Sequence, residues 1–185
     1  SDAQGRFALD PSAASRTRDE VEALSSLVLS NQELQVGVAI PPVTLEEWQR
    51  VSQGYEFAGP EGVEAVPADS DVAADHTATL SLMQSALASG RMHLADVGYV
   101  DPDILGLQTM GRLQDLAPQY ERGLSAYFTS IEATPQPYTV TANGLLPADT
   151  LGQLINRDVL AAVVSSATVE TDEARMPGAY AAGDS

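Results

Sequence analysis

The chain has 185 residues, of which 26 are acidic and nine are basic, and its formal net charge is -17. All nine basic residues are Arg, and this charge all but excludes nucleic-acid binding through phosphate contacts and disfavours an anionic membrane surface. The absence of Cys excludes disulfides, thiolate nucleophiles and Cys-ligated metal centres, while a hydrophobic content of 44% predicts a folded protein.

The first predicted element is a helix over residues 11–34. Asp10 can cap its first amides, and Pro11 at the first helical position loses no hydrogen bond. The apolar stripe behind this start has helical spacing and consists of Val21, Leu24, Leu27, Val28 and Leu34. The β-branched run over residues 36–40 then predicts a short strand or an extended crossing, which Pro41-Pro42 ends.

A second, shorter helix is predicted to carry the single Trp. Thr44 and Glu47 have the spacing of a capping box, and the helix would hold Trp48 and end near Gly54. Residues 55–69 come next, with several Gly and Pro and no periodicity, so they predict a long loop. A loop of this length is functional or mobile, or it is a tether between two helical layers.

Two further helices are predicted in the middle of the chain. The caps and apolar face of the first are Asp69, Ser70, Asp71, Leu80, Met83 and Leu87. It ends at Ser89-Gly90 or continues to Leu94. Asp101-Pro102 then repeats the start signal of the first helix, and Pro118 is expected to kink or restart the helix that begins there. The stripe after Pro118, expected to face the core, consists of Tyr120, Leu124, Tyr127, Phe128 and Ile131.

The last regular elements are predicted as a strand, a turn and a helix. Residues 138–142 alternate as a strand does and run into the turn dipeptide Asn143-Gly144. This strand can pair with residues 36–40 as a two-stranded ribbon. Pro147 then opens a final helix that continues through Val163.

These elements predict an all-α fold, a four- to five-helix bundle to which a short two-stranded ribbon can be added. We expect one helical domain over residues 1–166 and a disordered acidic tail over residues 167–185. No apolar run approaches the length of a membrane span, so no direct membrane insertion of this segment is expected.

The residues able to bind a metal ion do not form a site pattern. His76 and His93 are 17 positions apart, which places them about 100° apart on one continuous helix. Asp96, Asp101 and Asp103 lack the register of an EF-hand, and Asp101 is better interpreted as a helix cap. We therefore predict no metal site and no cofactor.

The sequence contains none of the HExxH, GxSxG, Walker or GxGxxG patterns. An enzyme is thus predicted only if carboxylates and His93 meet in three dimensions. Trp48 and Tyr55 are candidates to line a ligand pocket or an interface, although a lone Trp in a helical domain is usually a core residue.

Residues 121–127, Glu-Arg-Gly-Leu-Ser-Ala-Tyr, resemble the Glu-Arg-Gly-Leu-Ser run in a helix of nitrate- and nitrite-sensing domains, which are all-helical sensory modules of bacterial receptors. In that family the run lies in the first long helix, whereas four helix signals precede it here. The resemblance implies Arg122 as an anion-binding residue, since a planar guanidinium can donate two hydrogen bonds to a planar oxyanion.

The first functional hypothesis is a non-catalytic, extracytoplasmic sensory or ligand-binding module of a bacterial receptor. It would bind a small molecule between helices and signal by helix displacement. The alternative is a structural or assembly subunit of a larger complex, such as a virion or a secretion-related assembly, which contacts a protein partner through its acidic surface and tail. A cytoplasmic location and a homodimer stay open under both hypotheses.

Overall fold

The computed structural model describes residues 11–59, 62–100, 102–135, 139–142, 152, 154 and 161–164. The helices are α1 (Pro11–Ser30), α2 (Pro42–Ser52), α3 (Asp71–Ala88), α4 (Ile104–Thr109) and α5 (Leu116–Ile131), with a 3-10 turn at Leu113–Asp115. The strands are β1 (Val36–Val38), β2 (Tyr55–Gly59), β3 (Gly62–Val66), β4 (Met92–Leu94), β5 (Thr139–Ala142) and β6 (Ala161–Val164). The described chain is mostly helical, as predicted, but it is not a purely helical bundle.

The main core forms where α2 and α3 pack together between α1 and α5. α3 contacts both α1 and α2, and α2 also contacts α5. The large buried side chains of this core are Val21, Val28, Val38, Ile40, Leu45, Trp48, Leu80, Met83, Met92, Leu94, Tyr127 and Ile131. A smaller cluster near α4 contains Ile104, Leu113, Leu116, Tyr120 and Leu154. Both clusters include residues of α5, so this helix joins the two parts of the fold.

Three strand pairs accompany the helices in the described residues. β1 and β4 are parallel, with Val36 opposite Met92. β5 and β6 are also parallel, whereas β2 and β3 form an antiparallel hairpin. The predicted ribbon of residues 36–40 with residues 138–142 is therefore wrong, because each of these strands takes a different partner.

The β2–β3 hairpin replaces the long loop predicted over residues 55–69. Phe57 lies opposite Glu64 in its ladder. The chain enters the hairpin through Gly54, which has a φ of 81°, and a Cβ built there would lie 2.8 Å from the amide N of Ala68. Only glycine tolerates both the left-handed backbone and this close approach, so Gly54 fixes the turn from α2 into β2.

The starts of α2 and α3 show which local signals form caps. Ser70 caps α3, since its Oγ accepts a hydrogen bond from the Ala73 amide at 3.3 Å. α2 begins directly behind Pro41 and has no side-chain cap, so the predicted capping box of Thr44 and Glu47 is wrong. Proline at the first helical position already has a helical φ and needs no amide partner, which moves the start ahead of Thr44.

The region before α5 is divided into two short helical pieces. Asp103 caps α4, with its Oδ1 accepting from the Gly106 amide at 3.0 Å. The predicted cap, Asp101, lies outside the described residues. Pro118 falls in the first turn of α5, as the predicted restart requires, because a proline there removes no helical hydrogen bond.

The final predicted helix is wrong at its end. Residues 161–164 form β6 and pair with β5, because the β-branched Val163 and Val164 favour a strand beside a strand of similar composition. Gly152 and Leu154 are helical. Asp10, residue 138, Asn143-Gly144 and the tail over 167–185 lie outside the described residues. None of the helices in the described ranges combines the length and apolarity needed to cross a membrane.

Candidate functional site

α5 approaches α2 closely because Gly123 has no side chain. A Cβ at this position would lie 3.3 Å from Cγ of Pro42 and 3.5 Å from the amide N of Tyr99. Two main-chain bonds fix the same junction: the Tyr99 amide donates to the Gln119 carbonyl at 3.1 Å, and the Val43 amide donates to the Tyr99 carbonyl at 3.2 Å. The start of α2, the segment at Tyr99 and α5 therefore meet at one point.

Arg122 lies at the surface beside this junction. Its guanidinium carbon is 4.2 Å from the ring centroid of Tyr99, and its Nη2 donates to Tyr99 Oη at 3.1 Å. The Tyr99 hydroxyl donates to Glu46 Oε2 at 2.5 Å, and Arg122 Nη2 lies 3.5 Å from the same oxygen. Burial of the ring and the bond to Glu46 raise the pKa of Tyr99, so the hydroxyl stays a donor at neutral pH.

Arg122 is thus paired with neighbours within its own chain. A carboxylate and an aromatic face already contact the guanidinium, and an anionic ligand would have to compete with Glu46. The contacts link α5 to α2 and to the segment at Tyr99. The anion-binding role of Arg122 stays a prediction from the resemblance.

Trp48 and Tyr55, the other two predicted ligand-binding residues, lie elsewhere. Trp48 is 1% exposed and packs in the main core. Tyr55 is half-buried in β2, and its ring centroid is 5.9 Å from that of Phe57. A cleft of about 310 Å³ lies beside β4 and is lined in part by residues 92–94 and 131–134, and a shallow groove along α4 is lined in part by residues 105 and 110. Arg122, Trp48 and Tyr55 line neither of them.

His76 is buried against Trp48 in the main core. Its Nδ1 lies 2.8 Å from the Val72 carbonyl, to which the N–H donates, and the two aromatic rings meet edge to face. In the part of the chain that the structure describes, Nε2 has no hydrogen-bond partner. Burial lowers the pKa of His76, and the bond to Val72 opposes this shift only in part.

We expect stability to fall as the pH drops below about 6.5, the ordinary pKa of His. The native state keeps His76 neutral while the unfolded chain takes up a proton. The free energy of unfolding should therefore decrease by at most about 1.4 kcal/mol per pH unit between that pH and the lower native pKa. Urea denaturation from about pH 7.5 to about 5.5 measures this slope. His76→Phe should flatten it, and equal slopes in the two proteins would contradict the burial of a neutral His76.

The other residues considered for metal binding are separated. His93 is exposed on β4, not on the helix that carries His76. Asp103 serves as the cap of α4, and Asp96 is 1% exposed just after β4. Within the described ranges, no three His, Asp or Glu side chains are grouped so that they could hold a metal ion. The expectations of no enzyme activity, no metal and no cofactor stay predictions.

The other flank of α5 carries exposed apolar side chains. Leu124 is 39% exposed and Phe128 is 67% exposed, and both lie about 120–160° around the helix from Arg122. The prediction that this pair faces the core is wrong. The buried face consists of Leu116, Tyr120, Gly123, Ala126, Tyr127, Ser130 and Ile131. Gly123 and Ala126 are small, so α5 can pack closely along the face that carries them. The larger Leu124 and Phe128 remain exposed to solvent.

Acidic side chains border this apolar pair. Glu121 and Glu132 are exposed and lie one turn before Leu124 and one turn after Phe128. The single basic residue of α5, Arg122, lies on the far flank and is paired with Glu46. Since the chain has a net charge of -17, the apolar pair sits in a negative field.

No family model matches this chain, and no curated protein matches it. The likeness of residues 121–127 to nitrate- and nitrite-sensing domains therefore stays a prediction. The sensory function and the extracytoplasmic location stay predictions with it. The sequence signal for the exposed pair is an apolar stripe on α5 that is wider than one buried helix face requires.

Proposed function

We propose that this chain is a non-catalytic protein-docking module. This function belongs to the second hypothesis, that of a structural or assembly subunit. Its docking surface is the flank of α5 that carries Leu124 and Phe128, called here the α5 flank. One observation carries the proposal: both side chains are exposed although α5 joins the two clusters of the core. A helix held in place by its opposite face presents these side chains without further ordering. They are one turn apart, the spacing at which one partner helix can contact both.

The acidic border defines the chemistry of the partner. Leu124 and Phe128 would contact apolar side chains, while Glu121 and Glu132 would pair with Lys or Arg at the rim of the contact. A basic amphipathic helix offers both, because its apolar stripe runs beside its charges. The net charge of -17 would also speed the encounter with such a partner.

A second copy of the chain fits this flank less well. Two α5 flanks in contact would bring Glu121 and Glu132 of one copy toward the acidic border of the other, and both copies carry a net charge of -17. We therefore expect the chain to be a monomer at low salt.

A synthetic amphipathic peptide of Leu and Lys, about four helical turns long, tests the proposal. Isothermal titration calorimetry should show saturable binding to the full chain. The double variant Leu124→Ser/Phe128→Ser should bind at least about tenfold more weakly, because covering about 100 Å² of apolar surface contributes about 2.5 kcal/mol. The net charge is unchanged in this variant, so the loss reports the apolar contact.

The matched control is Leu105→Ser/Met110→Ser, which removes an apolar pair that is 44% and 65% exposed at α4. We expect this control to bind the peptide as the unaltered chain does. A scrambled peptide of the same composition lacks the apolar stripe and should bind weakly at about 0.15 M salt, where charge attraction is screened. Equal affinities of the unaltered chain and both double variants would refute the α5 flank as the docking surface.

A further inference from the structure

The cleft beside β4, called here the β4 cleft, has an apolar wall that belongs to the folded core. It is lined by the end of α3, by β4 and by residues 131–134, and its volume of about 310 Å³ is within the range of small-molecule sites. Met92, Leu94 and Ile131 are at most 3% exposed and belong to the main core. Leu87 and Ala133 pack against that core. A ligand therefore meets an apolar surface that needs no ordering before it binds.

Three polar residues also line the β4 cleft. Gln84 comes from α3, His93 from β4 and Glu132 from the end of α5. Among the residues that the structure describes, none of these three side chains takes part in a hydrogen bond or an ion pair. His93 and Glu132 are exposed, and Gln84 is half-buried. The three side chains are therefore available to a ligand, and they bring amide, imidazole and carboxylate acceptors to one cleft.

The backbone of Glu132 is strained. Its φ is 53° and its ψ is 30°, and in the described ranges it is the one residue other than glycine with a positive φ. Helices commonly end on glycine in this left-handed conformation, because a Cβ is crowded there. Strained residues concentrate at ligand sites. A glutamate at a position that suits glycine therefore favours a binding role for its carboxylate.

We propose that the β4 cleft binds a small organic cation, a primary ammonium group on a short apolar body. An ammonium group has three N–H donors, and Glu132, Gln84 and a neutral His93 ring offer one acceptor each. The apolar body would lie against Leu87 and Ala133. The inference goes beyond the α5 flank, because it concerns a small molecule in a separate cleft, although Glu132 borders both surfaces.

The charge of the β4 cleft favours a cation over an anion. Glu132 contributes a carboxylate, and no Arg is among the described residues that line the cleft. The net charge of -17 raises the local concentration of cations and lowers that of anions. An inorganic cation would not contact the apolar wall, so the apolar body is part of the prediction.

The probe is 2-phenylethylammonium chloride, added to the isotope-labelled full chain at about 0.15 M salt, where attraction to the general surface charge is screened. NMR should show saturable shifts of the Ala88, His93 and Ala133 amides, with a Kd of about 1 mM for so small a ligand. The amide of Ala78, at an exposed position of α3 outside the cleft, should not shift.

Two related compounds separate the parts of the probe. Methylammonium keeps the charge without the apolar body, and 2-phenylethanol keeps the body without the charge. Each should bind at least about tenfold more weakly than 2-phenylethylammonium, because each loses one of the two contacts that the cleft offers.

Substitutions separate the Glu132 carboxylate from the general charge of the chain. Glu132→Gln should weaken binding at least about tenfold, since a hydrogen bond between two charged groups becomes one to a neutral amide. Glu121→Gln removes the same charge from an exposed position of α5 outside the cleft, so this control should bind as the unaltered chain does. Glu132→Gly should also lose the binding while its Tm stays the same or rises, because glycine adopts a positive φ without strain.

Filling the cleft gives an independent test. Ala88→Trp places a bulky ring in the β4 cleft and should abolish the binding, whereas Ala78→Trp should preserve it. Absence of saturable shifts, equal affinity for methylammonium, or equal affinities of the unaltered chain and Glu132→Gln would each overturn the inference. The variant Leu124→Ser/Phe128→Ser should leave the binding unchanged, so failure of the β4 cleft and failure of the α5 flank are distinguishable.

Discussion

Trp48→Ala is expected to lower the free energy of unfolding by about 3–5 kcal/mol, the range for truncating a buried Trp. The indole is 1% exposed and packs edge to face against His76, so it fills the contact between α2 and α3. Its removal leaves a cavity that closely packed helices can close only in part. Urea denaturation measures the loss, and an unchanged m-value would show that the fold stays compact.

Phe128→Ala is the matched control for this substitution. It also removes an aromatic ring from a helix, but the ring is 67% exposed. We expect a change within about 0.5 kcal/mol, as for other surface substitutions. If Trp48→Ala costs no more than this control, Trp48 is not a core residue, and its predicted role in a ligand pocket is restored.

Tyr127→Phe is expected to cost about 1–3 kcal/mol. The hydroxyl of Tyr127 donates to the Ile40 carbonyl at 2.7 Å and lies 3.2 Å from the Ala95 carbonyl, so it ties α5 to the ends of both β1 and β4. Burial and the nearby charge of Asp96 raise its pKa, which keeps the hydroxyl protonated. Phe fills nearly the same volume but leaves the buried Ile40 carbonyl without this donor.

Tyr99→Phe controls for the loss of a tyrosine hydroxyl. Tyr99 is half-buried, and its partners Glu46 and Arg122 can turn to water when the hydroxyl is removed. We expect a loss below about 1 kcal/mol. Thermal unfolding of the two variants gives the comparison, and equal losses would contradict the role of Tyr127 in tying α5 to the ends of β1 and β4.

The long helices could be predicted because their signals are local. The Pro11 start of α1, the Ser70 cap of α3 and the Pro118 restart of α5 each act within one or two turns. Apolar periodicity then carries each helix forward. A helix start differs from its predicted position where a stronger local signal is present. α2, for example, begins directly after Pro41 and ahead of the predicted start at Thr44.

The strands were harder to predict for two different reasons. β1 and β4 have only three residues each, and they are far apart in the sequence. No local sequence pattern therefore predicts that Val36 pairs with Met92. The β2–β3 hairpin does have a local signal, since Tyr55-Glu56-Phe57 alternates as a strand does. The Gly and Pro residues that follow it in the sequence obscured that short alternation.

The candidate site could be predicted only in outline. Periodicity shows that α5 is amphipathic, but its apolar stripe spans more than one face, and the close approach of Pro42 to Gly123 decides which part is covered. The partners of Arg122 could not be predicted either. Glu46 and Tyr99 are distant from it in sequence and meet it only because three elements converge at that junction.

Hydroxyl-radical footprinting with the Leu and Lys peptide tests most directly where a partner docks. Docking on the α5 flank predicts that the peptide protects Leu124 and Phe128 from oxidation. Met110, which is 65% exposed beyond α4, should stay reactive. No protection of Phe128, or equal protection of Phe128 and Met110, would contradict the proposal that this chain docks a partner through the α5 flank.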